Sequence, residues 1–571
     1  MAETEKEILQ LVTDKKKEMK PIFDRMDEDE KLYLLEPYKM KKLPPQDSKD
    51  MEGVRNITLP DPQLYINKAI ALLGGLAMQR IVEGHDMTDK ETTKIEEYLD
   101  DIFYLVDERL VKRGIPGLDG FTDEQDCARG RIVARSCIRL DKEGNLIPDV
   151  LPIDARQFVY DSNDNGMIWG AATFRRSKAQ IEREYGEEHS KNIGSKGGEV
   201  IDFWNSERNI VFIETKVARN QENTYKYPPF PNAIVPFGSM FSTEDAMKHQ
   251  GESMLWSSRE LWKEKNMVAT ILATLTIEAL RGGMQLASKE GMSASKPKDS
   301  PYGAEKVNPV EIGGGYQPMP INDIKNATRL LYSIIETDLQ RSGFTALDYG
   351  SLTFPLSAIA VTKLTIARND QMLPRIQAKA VFYEALSRMM INQCIQLKKS
   401  FKLGQLGNQN TYSTKNLKGD YQITYRFLNV SKEQTAADLA IANAAQGYLS
   451  PDTIRREVLQ LKDPDGEKVK YESDQAEKVD EVLLLFRRAY SLLDVEKPSE
   501  KNQIEAYILK ERAKTILRQR RQTGTLSPIE GKGQEAPQGK GLMPLFGGGG
   551  QGARGRETQP EETEEVESGK V

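Results

Sequence analysis

Cysteine and histidine are scarce in this 571-residue chain, three of each, and tryptophan occurs only four times. Cys127, Cys137 and Cys394 are too few and too scattered for a disulfide framework or a zinc knuckle, which points to assembly in a reducing compartment. His85, His189 and His249 lie far apart and none belongs to an HExxH pair, so they read as surface histidines and not as ligands of a hydrolytic zinc. A GxxxxGK[ST] phosphate loop is missing, and with it the backbone cradle and lysine of a P-loop motor. No Ser/His/Asp or Cys/His arrangement stands out, although such triads are spatial and can hide in a sequence. Long apolar runs are absent as well. The most apolar stretch, MVATILATLTIEAL from Met267, is shorter than a bilayer span and contains Glu278. The N-terminal MAETEKEILQLVTDKKKEMK has charges at helical spacing where a signal peptide would be continuously apolar. The sequence therefore predicts no catalytic residue, no metal, no cofactor and no membrane contact.

What is present is ordinary in proportion, 38% hydrophobic and 29% charged residues, with a formal net charge of -6. That balance argues against a dedicated duplex-DNA reader with a broadly basic face and leaves room only for local or weak DNA contact. The acidic groups Asp27, Glu28, Asp29, Glu30 and Glu96, Glu97 are those a metal nuclease would use. Their setting on charged helices favours solvated faces instead.

Helical spacing opens the chain, from about residue 3 to 33, followed by the extended linker LEPYKMKKLPPQDSKDMEG. Asp61 and Pro62 then sit where a cap and a first-turn proline belong, ahead of Tyr65, Ile66, Ala69, Ile70 and Leu73 at spacings of three and four. A second amphipathic stretch covers about 88–113. From Arg131 the period falls to two: Ile132, Ala134, Ile138 and Leu140 share one face and Arg135 and Arg139 the other, the pattern of a half-buried strand. Further strands are predicted in LIPDVLPIDARQFVYD, MIWGAATFRR, EVIDFWN and NIVFIETKV, forming one antiparallel sheet, with a Ser177/Gln180 capping box on an intervening helix. YKYPPFPNAIVPFG must be extended, since each proline disfavours helix at the residue before it.

A helix is predicted to restart near Gly251 and run to Arg281, with the stripe Leu261, Val268, Leu272, Leu275 and Ala279 suited to a neighbouring helix. Its predicted companion, from about Ile321 to Arg341, repeats Ile324, Ala327, Leu331 and Ile334. Between them lies a polar segment ending in the strand-like KVNPVEIGGGYQPMP. The stretch GFTALDYGSLTF from Gly343 breaks the second helix from a third, about Pro355 to Ser400, in which Pro374 removes a backbone donor and should produce a kink. YQITYRFLNV alternates as a strand, Ser450 and Pro451 begin another helix, and residues 472–522 are helical and strongly charged. The glycine-rich and acidic residues from about 523 onward have the composition of disorder.

The order of these parts, with the phrases VRNITLPDPQLYINKAIALLGG, VLPIDARQFVYDSND, IDFWNSERNIVFIET and FLNVSKEQTAADLAIANAAQGYLSPDTIRREVLQLKDPDGE, resembles the tailed-bacteriophage portal proteins, or head-to-tail connectors. The resemblance covers roughly residues 20–520. It implies an α+β portal-type fold: an N-terminal helix and linker (1–50), a wing of helices and antiparallel sheet (51–250), a first stem helix (251–281), a small strand-containing clip (282–320) and a second stem helix (321–343). A tunnel loop (344–356), a kinked tunnel helix (357–400), a wing return strand and helices (401–471), a helical crown (472–522) and a disordered tail (523–571) would follow. It further implies a ring of about twelve subunits at one capsid vertex of the virion, assembled in the host cytoplasm around a channel for double-stranded DNA. The implied partners are the large subunit of a separate terminase motor, head-completion or adaptor proteins, and the major capsid and scaffolding proteins.

On that resemblance the channel residues are Phe344, Thr345, Asp348, Tyr349, Gly350 and Phe354. A wall that passes DNA of any sequence should avoid both base readout and a strongly basic surface, because every phosphate neutralised by Lys or Arg adds salt-sensitive affinity that opposes sliding. TALDYGSLTF has one acid, Asp348, and no base. Its length exceeds an ordinary interhelical turn. Lys289, Lys296 and Lys298 would line the clip and meet DNA or an adaptor, a role that solubilising loop lysines would share in composition. Two other readings compete, a metal-dependent nuclease of the packaging machinery and a cytoplasmic helical scaffold. The first lacks a metal-ligand spacing, and the second would require unbroken heptads where this chain has glycine, proline and strands.

Overall fold

The computed structural model describes residues 4–42, 49–85, 87–140, 146–191, 193–194, 196–241, 243–280, 284–288, 307–311, 321–342, 344, 358–397, 400–405, 408–428, 439, 441–459, 461, 464–493 and 500–522. The chain forms two compact units, 1–471 and 472–571. The content of the described residues, 55% helix and 22% strand, is that of an α+β protein.

The first unit opens with two helices where charge spacing predicts one. α1 (Glu5–Glu18) is closed at its start by a capping box of Thr4 and Glu7, and α2 (Lys20–Tyr33) begins anew with proline in its first turn, where the missing N–H breaks no helical bond. In α3 (Asp61–Gly74) Asp61 is the first helical residue and Pro60 takes the cap position without a side-chain bond, so the predicted cap is displaced by one residue. The predicted face is otherwise correct: Tyr65, Ile66, Ala69 and Leu73 are buried and Ile70 partly so. Neither β1 (Ala77–Glu83) nor α5 (Leu118–Arg129) is anticipated by the sequence reading, whereas α4 (Asp89–Lys112) is, capped by Thr88 and Glu91.

The predicted single sheet is two. β2 (Arg131–Leu140) lies between β3 (Leu146–Ile153) and β9 (Asn232–Ile234), while β4 (Phe158–Asn163), β5 (Gly166–Arg176), β6 (Gly198–Asn205), β7 (Arg208–Ile213) and β8 (Lys216–Glu222) form a five-stranded antiparallel meander. Between β5 and β6 run α6 (Lys178–Tyr185), with the predicted Ser177/Gln180 capping box, and the single-turn α7 (Glu187–Ser190). The run NIVFIETKV is not one strand but a hairpin, turning at Glu214 with φ 53. The half-buried reading of β2 also fails, because both its faces are covered. Ile132, Ala134 and Ile138 join one apolar core, Val133 joins another with Ile153 and Phe158, and the Arg135 guanidinium is held against Asp202.

After α8 (Glu244–Met247) the chain does not become helical at Gly251. Residues 251–258 make turns first, buried apart from Trp256 and Ser257, and α9 (Arg259–Leu280) starts after them. The reason is a close backbone crossing: Gly130 and Gly251 both have positive φ, +71 and +65, and a Cβ on Gly130 would stand 2.2 Å from the Gly251 carbonyl oxygen.

β10 (Met284–Ser288) and β11 (Val307–Glu311) form a parallel pair, followed by α10 (Ile321–Ser342) and α11 (Ala358–Leu397), a helix of 40 residues that continues across Pro374. The hairpin β12 (Phe401–Gln405) and β13 (Asn408–Tyr412) precedes β14 (Gln422–Leu428), which pairs with β1 across 300 residues of sequence and more, as Ile81 opposite Thr424 illustrates. The largest apolar core lies where α4, α11, β1, β2 and β14 meet, with Tyr98, Ile102, Phe382, Leu386, Met390 and Tyr425 among its members. Ser450 caps the next turn by accepting from the Thr453 amide, as predicted.

In the second unit, helices Glu481–Leu493 and Glu500–Gln522 pack along a seam of Val482, Leu485, Ala506 and Ala513. Arg520 donates two bonds of 2.9 Å to Asp480 at one end of the pair. The predicted tail from 523 lies outside the described residues.

Candidate functional site at the base of the interhelical loop

The loop that separates α10 from α11 is where the sequence reading placed its function. Of its named residues, Thr345, Asp348, Tyr349, Gly350 and Phe354 lie outside the described residues, as do Lys289, Lys296 and Lys298. Phe344 is described and is only 5% exposed. Its ring centroid lies 5.1 Å from that of Tyr65, which itself stands 6.2 Å from Trp262. Phe344 therefore sits in the core of the chain, where the sequence reading had it facing a channel. Apolar character, not loop position, decides its placement.

The cluster around Phe344 holds four helices: Tyr65, Ile66, Ala69 and Leu73 from α3, Trp262 and Val268 from α9, Ile335 and Leu339 from α10, and Met372 from α11. Both ends of the segment 345–371 are thus tied to one apolar base. Burial of each large side chain there is worth roughly 1.5–3 kcal/mol. Residues 358–371 belong to α11, and at 1.5 Å per residue that helical part covers about 21 Å.

A polar clamp fixes α11 just beyond the base. Arg375, 1% exposed, donates through Nη1 to the Asp126 carbonyl and through Nη2 to the Glu252 carbonyl at 2.6 Å, with its guanidinium 5.3 Å from the Phe237 ring centre. Lys379, one helical turn later, reaches Asp123 at 2.7 Å and Asp119 at 3.2 Å, and the Tyr383 hydroxyl donates to Asp119 at 2.6 Å. Positions 375, 379 and 383 therefore share one face of α11, and acids 119, 123 and 126 share one face of α5. Burial pushes the Asp126 carboxyl up to about 8 against the opposing influence of Arg375, and burial likewise pushes Asp123 up to about 6 against Lys379. For Lys379 burial works downward, but Asp123 and Asp119 outweigh it and raise the ammonium.

A second buried network fixes the entry to α9. Arg259 makes a fork on Asp29, 2.6 and 2.9 Å, and a further bond of 2.8 Å to Glu252. Arg25 from α2 approaches the same Glu252 carboxylate at 3.4 Å and donates to the carbonyls of Lys248 and Gly251 at 2.7 and 2.9 Å. Ser253 donates to Asp29 and His249 shares a 2.7 Å bond with Glu252. Burial lowers the Arg25 guanidinium to about 10 in spite of Glu252, and raises Asp29 in spite of Arg259.

This corrects the reading of the acidic clusters as solvated faces. Asp29 is 2% exposed, and Asp27, Glu28 and Glu30 pair with Arg156, Lys263 and Arg129. Glu96 is buried as well and accepts the Val82 amide at 2.8 Å, while Glu97 is exposed. His249 is part of a buried network, not a free surface histidine. Among the described residues no group of three His, Cys, Asp or Glu is placed to hold a metal ion, and no helix is long and apolar enough to cross a membrane.

The pair α9/α10 carries an apolar face that no element among the described residues covers. Leu330, Leu331, Tyr332 and Ile334 are exposed by 64, 41, 39 and 49%, while Ile335 and Leu339 turn inward. Sequence spacing had selected Leu331 and Ile334 as the seam to α9. The true seam is one residue further round, where Lys265 on α9 also meets Glu336 at 3.0 Å. On the other side of α9 an extended strap is bound by side chains one turn apart: the amides of Leu59, Ile57 and Arg55 donate to Asn266, Thr270 and Thr274 at 2.9, 3.0 and 3.2 Å. Two extended residues advance about 6.6 Å and four helical residues about 6.0 Å, so the two repeats stay in step.

No family model matches the chain, and no curated protein shows significant similarity to it.

Proposed function

We propose that this protein is a portal subunit: copies close into a ring of about twelve around a channel for double-stranded DNA at one capsid vertex. The observation that carries the reading is the apolar face of α10, at Leu330, Leu331, Tyr332 and Ile334, exposed among the described residues, beside a segment whose flanking residues Phe344 and Met372 share one apolar cluster. Contiguous exposed apolar residues on a helix mark an interaction surface. In a ring each subunit would lay this face against a different face of its neighbour, the heterologous contact that closes a cycle.

In this reading α9 and α10 are the stem, β10 and β11 lie in the clip, and α11 is the tunnel helix. Residues 344–356 are the tunnel loop, and the pair Glu481–Leu493 and Glu500–Gln522 belongs to the crown. DNA packaging energy comes from a separate terminase motor, and the ring binds that motor, then adaptor proteins, in succession. Capsid and scaffolding proteins surround it during assembly. Work of this kind is conduction and docking, and no residue of the chain is assigned a bond-making role. The buried clamps on α9 and α11 suit it, since a channel wall must hold its shape while DNA moves.

Light scattering of the purified full-length chain, followed by negative-stain electron microscopy, tests the proposal. Annular particles of about twelve chain masses with a central hole are expected. A compact monomer that persists at high concentration would overturn it.

A further inference from the structure

A cleft of about 1250 Å³ opens between the two larger sheets, with α6 along its rim. It is remote in function from the helix pair and the loop base, and nothing in the portal reading uses it. Seven arginines line it against four carboxylates, Asp149, Asp154, Glu184 and Glu222, on a chain whose net charge is negative. Asp149 is buried and shared: Arg113 approaches it to 2.6 Å, Arg139 to 2.5 Å, Arg135 to 3.6 Å and Arg109 to 3.8 Å. One carboxylate cannot neutralise four guanidiniums. A relay continues from there, in which Arg135 pairs with Asp202, Asn209 donates to Asp202 at 2.8 Å, and Arg219 donates to Asn209 at 3.0 Å.

Three buried donors on the lining, Arg135 Nε, Arg219 Nε and the Trp204 indole N–H, have no hydrogen-bond partner among the described residues. All three are donors, so the complement they lack is a row of acceptors. Trp204 stacks on Tyr225 at 6.2 Å and 26°, a flat apolar wall beside the charges. The planar guanidinium fork fits carboxylate or phosphate oxygens two at a time. Topology separates these. β8 is an outer strand of the five-stranded sheet and contributes Arg219 and Gln221 to the lining, and β3, the outer strand of the other sheet, contributes Asp149 and Leu151. A free strand edge offers amides and carbonyls that pair with another main chain, which a phosphodiester cannot match. The cleft also exceeds the ~300–1,000 Å³ of ordinary small-molecule sites.

We propose that this cleft binds an extended acidic segment of a partner protein, with its carboxylates on the free guanidinium edges of Arg135, Arg139 and Arg219 and its backbone beside β8. The portal reading is not required for it, so either can fail alone.

The test is fluorescence anisotropy with the full-length chain and three labelled probes: a short peptide alternating Glu and Ser, its Lys and Ser counterpart, and an oligothymidylate. Saturable binding of the Glu/Ser peptide alone is expected, weakening as salt is raised. Arg139→Glu combined with Arg183→Glu, both at the exposed mouth, should weaken it by about tenfold or more, as expected for lost charge-assisted bonds. Trp204→Phe keeps the stacked wall and removes one orphan donor, and should weaken binding by a few fold, with unchanged circular dichroism. The proposal is overturned by absent binding of the Glu/Ser peptide, by variants that bind as the parent does, or by preference for oligothymidylate, which would assign the cleft to nucleic acid.

Discussion

Arg375 bonds to the backbone carbonyl of Asp126 and not to its carboxylate, whose nearest oxygen stays 3.7 Å from the guanidinium. Neither carboxylate oxygen of Asp126 has a hydrogen-bond partner among the described residues. A fully buried carboxyl in that position is more comfortable protonated, and Arg375 is satisfied without it by the carbonyls of Asp126 and Glu252.

Stability should therefore fall as pH rises. Burial lifts Asp126 from 3.8 to about 8 and Asp123 from 3.8 to about 6, so between the unfolded and folded values the folded chain holds more protons than the unfolded one. Unfolding free energy then drops with increasing pH, by at most about 1.4 kcal/mol per pH unit for each group. Asp126→Asn cannot ionise. In urea titrations the variant should gain on the parent steadily between about pH 5 and pH 8, and a pH-independent difference would show that Asp126 is ionised in the fold.

The pairing of α5 with α11 explains what the sequence could and could not disclose. Long periodic elements such as α3 and α4 were legible because burial on one face leaves a repeating pattern in the chain itself. The face of α10 was misread because Leu331 and Ile334, three apart, fit a helical repeat as well as Ile335 and Leu339, four apart, and periodicity alone cannot say which apolar row meets α9. The clamp escaped notice for a different reason. Asp119, Asp123 and Asp126 repeat at helical spacing, as do Arg375, Lys379 and Tyr383, but opposite charges on two helices 250 residues apart look like two solvated faces until the fold brings them together. The signal that would have found them is a matched stripe, acids at four and three on one helix against cations at four on another. Likewise β1 is short, and only its pairing with β14, the strand that alternation in YQITYRFLNV does disclose, makes it a strand.

Thr270 should hold the strap on α9. Its hydroxyl accepts the Ile57 amide at 3.0 Å and its side chain is wholly buried, so Thr270→Val keeps the shape and leaves that amide without an acceptor. A loss of about 1 kcal/mol follows, at the low end of the penalty for an unpaired donor because that amide is part-buried. Hydrogen exchange read at Ile57 should accelerate, while exchange in the α4 core stays slow. Equal protection in parent and variant would mean that the strap is held by other contacts.

The exposed row on α10 gives a separable prediction about assembly. Leu331→Asp with Ile334→Asp changes side chains exposed by 41 and 49%, so the thermal midpoint of the isolated chain should move little, by about the 0.5 kcal/mol typical of surface positions. Ring closure should be lost, because two desolvated carboxylates would face the neighbouring subunit. Light scattering distinguishes the outcomes: monomers with an unchanged melt support the interface, and intact rings would move it to another face.

Deleting Thr345 to Thr353 probes the loop apart from its base. Phe344 stays in its pocket against Tyr65, and Met372 and Arg375 keep α11 in place, so the anchored parts do not depend on the residues removed. Only residues 354–357 then remain between Phe344 and Ala358, at most about 18 Å of extended chain, so the first turn of α11 must unwind to close the connection while the anchored turns from Met372 onward keep their contacts. Rings should form at the parent's yield, and the defect should appear only when DNA is packaged or retained, measured as nuclease-protected genome length per particle. Rings that fail to assemble would transfer the segment from the channel to subunit folding, and rings that package and retain a full genome would leave the loop without the role in DNA handling that its position at the mouth of α11 suggests.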